Sequence, residues 1–409
     1  MTAGQSRPFE QARHEHAPGV RPGSSPPDSP PPPNGTLSHA NGKSGEHLPR
    51  RYTPAPAGAP GQIGDTGESD QAAPKYTTRD EVESLGVSLG PALHEACGDR
   101  LGDIDWFQSP WQKSGAATGF TSWRLPDGSV VGAIAKVPVG FREYDWSVRL
   151  GEVDPMWWRS EACRHLPVPR VLASGTELGG YDIAWLVVEK VSGRPISKEM
   201  NPESLEKLFA AAALFHKLAL ESRPLERVQL TLGLDWVKVL ARARQSCEDN
   251  DLEGAGEWIE LIDRVTGLLP GLLERWHGRP VDSWCHGDLH PGNAMIRCDE
   301  TCPEDRCGVL IDLALVHPGH WVEDALYLER LYWGRENALG GVNPVEALGR
   351  HRLALGLSAD EADLELADIR RVLMGATSPA FLGQENNRVY LEAARGRLCK
   401  IIPTLGHLA

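Results

Sequence analysis

Two runs early in the chain alternate apolar and polar positions, GFTSWRL (119–125) and SVVGAIAKVPV (129–139). Alternation at period two predicts half-buried strands, and the PDG between them is a hairpin signal. In the second strand Gly132, Ile134 and Lys136 then share one face. TRDEVESLGVSLGPALHEACG (78–98) predicts a helix before this hairpin, and MWWRSEACRHL (156–166) a helix after it. The stretch between, GFREYDWSVRLGEVDPMWW (140–158), has no clear periodicity. PVPRVLASG leaves the helical pattern, and IAWLVVEKVSG (183–193) is an apolar strand ending at Gly193. From there the pattern turns helical. NPESLEKLFAAAALFHKLAL opens with Asn201 as a cap and Pro202 at the first helical position. Leu208, Ala212, Phe215 and Ala219 form one apolar stripe that includes the neighbouring His216. Further helices are predicted over 253–277, 323–338, 360–376 and 385–400.

This pattern gives a bilobal α+β fold, with an antiparallel, strand-rich N-lobe, a linker strand and a mainly helical C-lobe. Residues 1–75 stand apart. They are rich in proline and glycine, as in SPPDSPPPP, and hold none of the 13 tryptophans. Such a segment buries too little apolar surface to offset its ordering entropy, so a disordered tail is expected. The boundaries read 1–75 for the tail, 76–192 for the nucleotide-binding N-lobe with its linker strand, and 193–409 for the C-lobe. Deleting residues 1–75 should therefore leave the melting temperature unchanged within a few degrees. A larger fall in a thermal melt would show that the tail packs on the domain.

The formal net charge is −14, and because the tail's charges cancel, it belongs to the rest of the chain. That argues against a nucleic-acid binder, which wants a basic face. An acidic surface suits solubility and attracts cationic small molecules. No run reaches a membrane span, and MTAGQSRPFEQARHEH lacks the apolar core of a secretory signal. With eight mostly scattered cysteines, a reduced, cytoplasmic protein is expected.

The chemistry concentrates in CHGDLHPGNAMI (285–296), a loop expected between a helix and a short strand. Gly287, Gly292 and Pro291 shape the turn. Asp288 and Asn293 stand in the H-x-D-x-x-x-x-N spacing of a kinase catalytic loop, where the Asp takes the acceptor proton and the Asn ligates Mg²⁺. In GVLIDLALV, Asp312 interrupts a hydrophobic strand, which is costly unless the carboxylate pairs or binds a metal. A hairpin from NAMIRC to CGVLID would return it beside Asn293.

HGDLHPGN followed by VLIDLALVHPGHWVEDALYLE resembles the aminoglycoside phosphotransferase family, part of the wider phosphotransferase group with a protein-kinase-like fold. The resemblance spans roughly residues 105–335. It implies an ATP-dependent transfer of the γ-phosphoryl group to a small-molecule hydroxyl, with GTP as the alternative donor. Asp288 falls on the catalytic base, Asn293 and Asp312 on the Mg²⁺ ligands, and Asp324 on an Asp that helps hold the loop. Lys136 resembles the lysine of the α- and β-phosphates. Its carboxylate partner would be Glu161, with Glu143 and Glu152 as rivals. Backbone groups of Glu189 and Val191 would meet the adenine, and KSGAATG (113–119) would cover the phosphates. Leu313 departs from the tryptophan that often follows the metal aspartate, and the hairpin tip RCDETCPEDRCG is long.

Other readings of these residues are weaker. His286 and His290 suit hydrogen-bonding braces better than catalysts. HGDLH resembles an H-x-D-x-H metallohydrolase site, but only His317 and His320 lie near in sequence, and Asn293 and Asp312 would go unexplained. A nucleotide-binding pseudokinase or interaction protein would need a broken lysine, base or metal ligand, and none is broken. Cys298, Cys302 and Cys307 offer a zinc site three ligands without a clear fourth, so no structural zinc is expected.

Overall fold

The alternation in the first lobe becomes a five-stranded antiparallel sheet in the order β1-β2-β3-β5-β4. Its strands are β1 (Asp105–Phe107), β2 (Ala117–Arg124), β3 (Val130–Val137), β4 (Val171–Gly175) and β5 (Trp185–Glu189). The computed structural model describes residues 79–107, 116–154, 160, 165–225, 234–250, 252–299, 302–382 and 388–408, with backbone only at 79–84, 299 and 302–306. All of them fall in one unit, Pro54–Ala409. The β2–β3 hairpin closes at the expected turn. Gly128 takes a φ of 83°, and the Asp127 carboxylate accepts the Ser129 N–H at 2.9 Å. Ala133, Ala135 and Val137 of β3 point into a core with Leu93, Trp123 and Val187, leaving Gly132, Ile134 and Lys136 on the other face. Helix α1 (Arg79–Cys97) supplies Leu93 and Cys97 to the same core.

The segment without visible periodicity holds a helix, α2 (Phe141–Gly151). Tyr144, Trp146, Val148 and Leu150 alternate as they would in a strand, which hides it. On a helix, 144/148 and 146/150 are separate i,i+4 pairs on different sides. Tyr144 and Val148 pack on Val139, Val171 and Leu186 of the first lobe, while Trp146 and Leu150 enter the core of the second. A helix wedged between two cores shows no single apolar stripe. Most of the helix predicted at 156–166, including Glu161, lies outside the described residues.

In the second lobe α3 (Pro202–Ser222) begins as expected. The Asn201 side chain accepts the Ser204 N–H at 3.0 Å, Ser204 Oγ accepts the Asn201 N–H in return, and Pro202 occupies the first turn. Leu208, Ala212, Phe215 and Ala219 are all buried. Helices α4 (Trp236–Asp249), α5 (Ala255–His277), α6 (Val322–Leu331), α7 (Pro344–Ala354), α8 (Glu361–Thr377) and α9 (Arg388–Ile401) complete the lobe. The sequence pattern missed α4 and α7. It also ran α6 too far, since the chain after Leu331 re-forms only as a 3₁₀ turn, Glu336–Leu339. No described helix is long and apolar enough to cross a membrane.

Two small ladders carry the chemistry. Strand β6 (Ser283–Cys285) pairs with β9 (His317–Gly319), and β7 (Ala294–Asp299) pairs with β8 (Cys302–Leu310). Thus a three-residue strand, not a helix, leads into the polar loop. Gly308 lets β8 lie flat on α3, since a Cβ there would sit 2.3 Å from the Lys207 carbonyl oxygen.

The lobes are joined through a buried charge cluster. Glu189, at the end of β5, binds Arg170 ahead of β4 and Arg297 of β7. The Arg170 Nε donates to Glu189 at 2.6 Å, and Arg297 also donates to the carbonyls of Leu166 (2.7 Å) and Val168 (3.0 Å).

Candidate active site

Loop 286–293 is shaped by buried side chains beneath it. Gly287 adopts a φ of 82°, and a Cβ there would meet the Leu315 carbonyl oxygen at 2.3 Å. Glycine is thus needed for both backbone angle and close approach. Asp324, at the start of α6 and 1% exposed, accepts the N–H groups of His286 (2.7 Å) and Gly287 (2.9 Å). His216 of α3 reaches the same carboxylate through Nε2 at 3.0 Å, while the Arg352 guanidinium donates to its Nδ1 at 3.1 Å. A guanidinium has only donors, so His216 Nδ1 is the acceptor and Nε2 carries the proton. Asp324 therefore holds the loop, and His216 is a core brace. His286 braces from the other side: Nε2 faces the Ile311 carbonyl at 3.1 Å, and Nδ1 accepts the Asp288 N–H at 3.3 Å. His290 Nδ1 accepts the Gly292 N–H at 2.9 Å, leaving Nε2 at 3.8 Å from Asp288. Burial holds the His290 imidazole below its usual range, against the opposing charge of Asp288.

Asn293 Nδ2 donates to the Asp288 carboxylate at 2.8 Å and to its carbonyl at 3.2 Å. The Asn293 Oδ1 then points away from Asp288. The β7–β8 hairpin brings the next acidic residue back as expected. Ala294 pairs with Leu310, and the Ile311 N–H donates to the Asn293 carbonyl at 2.9 Å. Asp312 follows with φ 64° and ψ 72°, the sole non-glycine with positive φ among the described residues. Such a conformation is strained and clusters at functional sites. Its exposed carboxylate has no hydrogen-bond partner among the described residues. Two oxygen donors with one negative charge, on adjacent hairpin ends, fit a hard cation such as Mg²⁺. No group of three His, Cys, Asp or Glu side chains suited to a metal occurs among the described residues.

Tyr327 escaped the sequence reading. It lies one turn beyond Asp324 on α6, and its hydroxyl is hydrogen-bonded to Asp288. Burial and that bond push the phenol above its usual range, so it stays a protonated donor. The signal was its i,i+3 spacing from Asp324 on the helix expected over 323–338, which puts the two side chains one turn apart beneath the same loop.

In the first lobe, Lys136 is ion-paired with Glu143 of α2. Glu161 lies outside the described residues, so the carboxylate seen at the lysine is the one held as a rival. Glu189 uses its side chain for the interlobe cluster and its N–H for the Arg170 carbonyl, at 2.9 Å. Outside the strand ladders, its own carbonyl and the Val191 N–H make no hydrogen bond among the described residues, which leaves them open to a nucleobase. Cross-strand register places Phe120, Ile134 and Val188 in one row on the face that carries Lys136. Phe107 stacks on Phe120 with ring centroids 4.4 Å apart. These aromatic residues were also missed, because a strand phenylalanine reads as core until the register is known. Residues 113–115 of the proposed phosphate loop lie outside the described residues.

Burial depresses the His216 pKa from 6.5, outweighing the opposing pull of Asp324. The unfolded chain therefore binds this proton at a pH where the folded chain does not. Stability from this group is complete above about pH 6.5 and falls as the pH drops below it, by up to about 1.4 kcal/mol per pH unit. Urea midpoints at pH 7.5 and 5.5 should differ less in His216→Gln than in the parent chain. Equal differences would assign the acid sensitivity elsewhere.

Comparison with known proteins adds the following. Residues 158–359 match the model described as the phosphotransferase enzyme family. No curated protein matches the chain. Among solved structures, an aminoglycoside phosphotransferase from Streptomyces rimosus is similar at 20% identity, covering 73% of this chain and 98% of its own, with a TM-score of 0.37. A spectinomycin phosphotransferase in complex with ADP and spectinomycin gives 10%, 81%, 98% and 0.44 for the same measures. A choline kinase from Cryptosporidium parvum gives 12%, 79%, 96% and 0.41.

Proposed function

We propose that this chain, which belongs to the phosphotransferase enzyme family through residues 158–359, moves the γ-phosphoryl group of ATP to a hydroxyl of a small molecule, with Asp288 as the base. The observation that carries the reading is the Asp288–Asn293–Asp312 constellation. Asn293 is bonded to Asp288, and Asp312, with no hydrogen-bond partner of its own, is returned beside Asn293 by the hairpin.

In this reading Asp288 orients the acceptor hydroxyl and takes its proton as the oxygen attacks the γ-phosphorus in line. The Asn293 amide and the Tyr327 hydroxyl hold the Asp288 carboxylate in place. Lys136, fixed by Glu143, meets the α- and β-phosphates, and GTP is the alternative donor. The Glu189 carbonyl and Val191 N–H read the base edge, under a roof of Phe120, Ile134 and Val188. Mg²⁺, held by Asn293 and Asp312, would supply charge neutralisation for the phosphates. Most of the rate then comes from positioning and electrostatics, since phosphoryl transfer asks little covalent chemistry of the protein.

A transfer screen with ATP and Mg²⁺ over aminoglycosides, amino alcohols, sugars and nucleosides tests the reading, and ATP-dependent phosphorylation of none of them would count against it. Asp312→Ala should weaken ATP binding in the presence of Mg²⁺ and leave binding without Mg²⁺ nearly as it was. Calorimetry in both conditions decides this, and an unchanged Mg²⁺ dependence would remove Asp312 from the metal site.

A further inference from the structure

His290 braces the catalytic loop with one ring nitrogen and leaves the other unused. Its Nδ1 accepts the Gly292 N–H at 2.9 Å, and its own carbonyl accepts the Asn293 N–H at 2.9 Å. The ring also lies against Gly292, where a Cβ would come within 2.6 Å of Cε1 and 2.9 Å of Nδ1. Ring orientation and tautomer are therefore both set by the backbone. A backbone N–H only donates, so Nδ1 is the lone-pair nitrogen and the proton sits on Nε2.

That Nε2–H has no acceptor within hydrogen-bond distance among the described residues. The other histidines around the loop differ. His286 uses both nitrogens, on the Ile311 carbonyl and the Asp288 N–H, and His216 uses both, on Asp324 and Arg352. His317 donates from Nδ1 to the Leu315 carbonyl (3.0 Å), and its Nε2 is sealed from solvent, 3.9 Å from Glu323. The His290 Nε2 is not sealed, and its side chain is 30% exposed. It faces Asp288 Oδ2 at 3.8 Å. That gap is too long for a hydrogen bond and wide enough for one oxygen atom bonded to both sides. The oxygen must accept from Nε2–H and donate to the carboxylate. Oδ2 accepts from Asn293 Nδ2 at 2.8 Å and keeps a second lone pair for it. A hydroxyl or a water does both. A phosphate oxygen only accepts and would be repelled by Asp288, and an ammonium only donates and would leave the Nε2–H unpaired.

We propose that His290 is a second contact to the phosphoryl acceptor: its Nε2–H holds the acceptor hydroxyl oxygen while the hydroxyl proton points at Asp288. The inference rests on the phosphotransferase reading, because it needs a hydroxyl delivered to Asp288. With one lone pair on Nε2–H and the proton on the carboxylate, the second lone pair of the oxygen is left for the γ-phosphorus. It forms the new P–O bond as the bond from the γ-phosphorus to the β,γ-bridging oxygen breaks. That electron pair leaves with ADP, and the hydroxyl proton passes to Asp288. His290 neither gains nor loses a proton. It narrows the orientations of the attacking oxygen, which raises the rate of the chemical step.

Two substitutions of His290 separate this contact from the brace. In His290→Asn the side-chain oxygen takes the place of Nδ1 and keeps the Gly292 N–H, as in an Asx turn, but nothing reaches the position of Nε2. In His290→Gln the amide N–H reaches that position, and the short acceptor for Gly292 is lost. Phosphate release from ATP and Mg²⁺ by the full chain is the readout, with water as the acceptor. His290→Asn should keep its melting temperature and its ADP affinity and lose at least about tenfold in kcat, the effect of one hydrogen bond missing from the transition state. His290→Gln should keep more of the rate. A rate in His290→Asn equal to or above that in His290→Gln would leave His290 as a brace alone and overturn the proposal. So would a His290→Asn chain that binds a non-hydrolysable ATP analogue about tenfold more weakly with ADP affinity unchanged, since the N–H would then belong to the γ-phosphate. Imidazole nitrogen NMR of the parent chain, assigned by the signals lost in either variant, needs no turnover. The ring proton should be on Nε2, and a proton on Nδ1 would overturn the proposal. A parent chain that neither binds ADP nor hydrolyses ATP would overturn the phosphotransferase reading instead.

Discussion

Asp288→Asn should lower kcat by about 10²–10⁴-fold, the usual cost of losing a general base, while the fold and nucleotide affinity persist. The amide oxygen can still accept from Asn293 Nδ2, and the Tyr327 hydroxyl, donor or acceptor, can bond to either end of the amide, so the loop keeps its geometry. What is lost is the capacity to take the acceptor proton. Single-turnover transfer rates, with ADP affinity measured alongside, separate chemistry from binding. An undiminished rate would mean that Asp288 orients the acceptor without accepting its proton, or takes no part.

The second large effect is expected at Asp324. Asp324→Ala should cost about 3–5 kcal/mol of stability and take activity with it. The carboxylate accepts from His286, Gly287 and His216, and all three donors would be left buried without an acceptor. The Arg352 charge behind His216 would lose its nearest compensating partner on that side, keeping Asp282 at 2.8 Å. Urea unfolding gives the stability change. A loss under 1 kcal/mol would show that the loop is held mainly by His286 and the backbone turn.

Comparing Asp288 with Tyr327 shows why some of the site was legible in the sequence and some was not. Asp288, Asn293 and Asp312 sit in a loop and at a strand end, where polar side chains among apolar ones have no structural reason to be. Their spacing was therefore readable, as was the hairpin that brings Asp312 back. Strands β2 and β3 were readable because each buries one face, and β5 as a continuous apolar run, whereas the short β1 and β4 carried no such signal. Helix α2 was not, because it serves two cores at once and its apolar residues fall at strand spacing, and so Glu143 stood only as a rival partner of Lys136. Tyr327 and Phe120 look ordinary in sequence. Each acquires meaning from a neighbour far along the chain: Asp288 for Tyr327 and the strand register for Phe120.

The Glu189 cluster bears on ionic strength. Exposed pairs such as Arg388–Glu253, with side chains 71% and 62% exposed, are screened by dissolved salt within a Debye length of about 8 Å at physiological strength. Glu189 and Arg297 are 4% and 6% exposed, so mobile ions have no path between them. Brine that dissolves the outer pairs leaves this one intact. The strand that would read the adenine and the hairpin whose ends carry Asn293 and Asp312 are fastened by the same charges, and so stay in register where surface electrostatics have vanished.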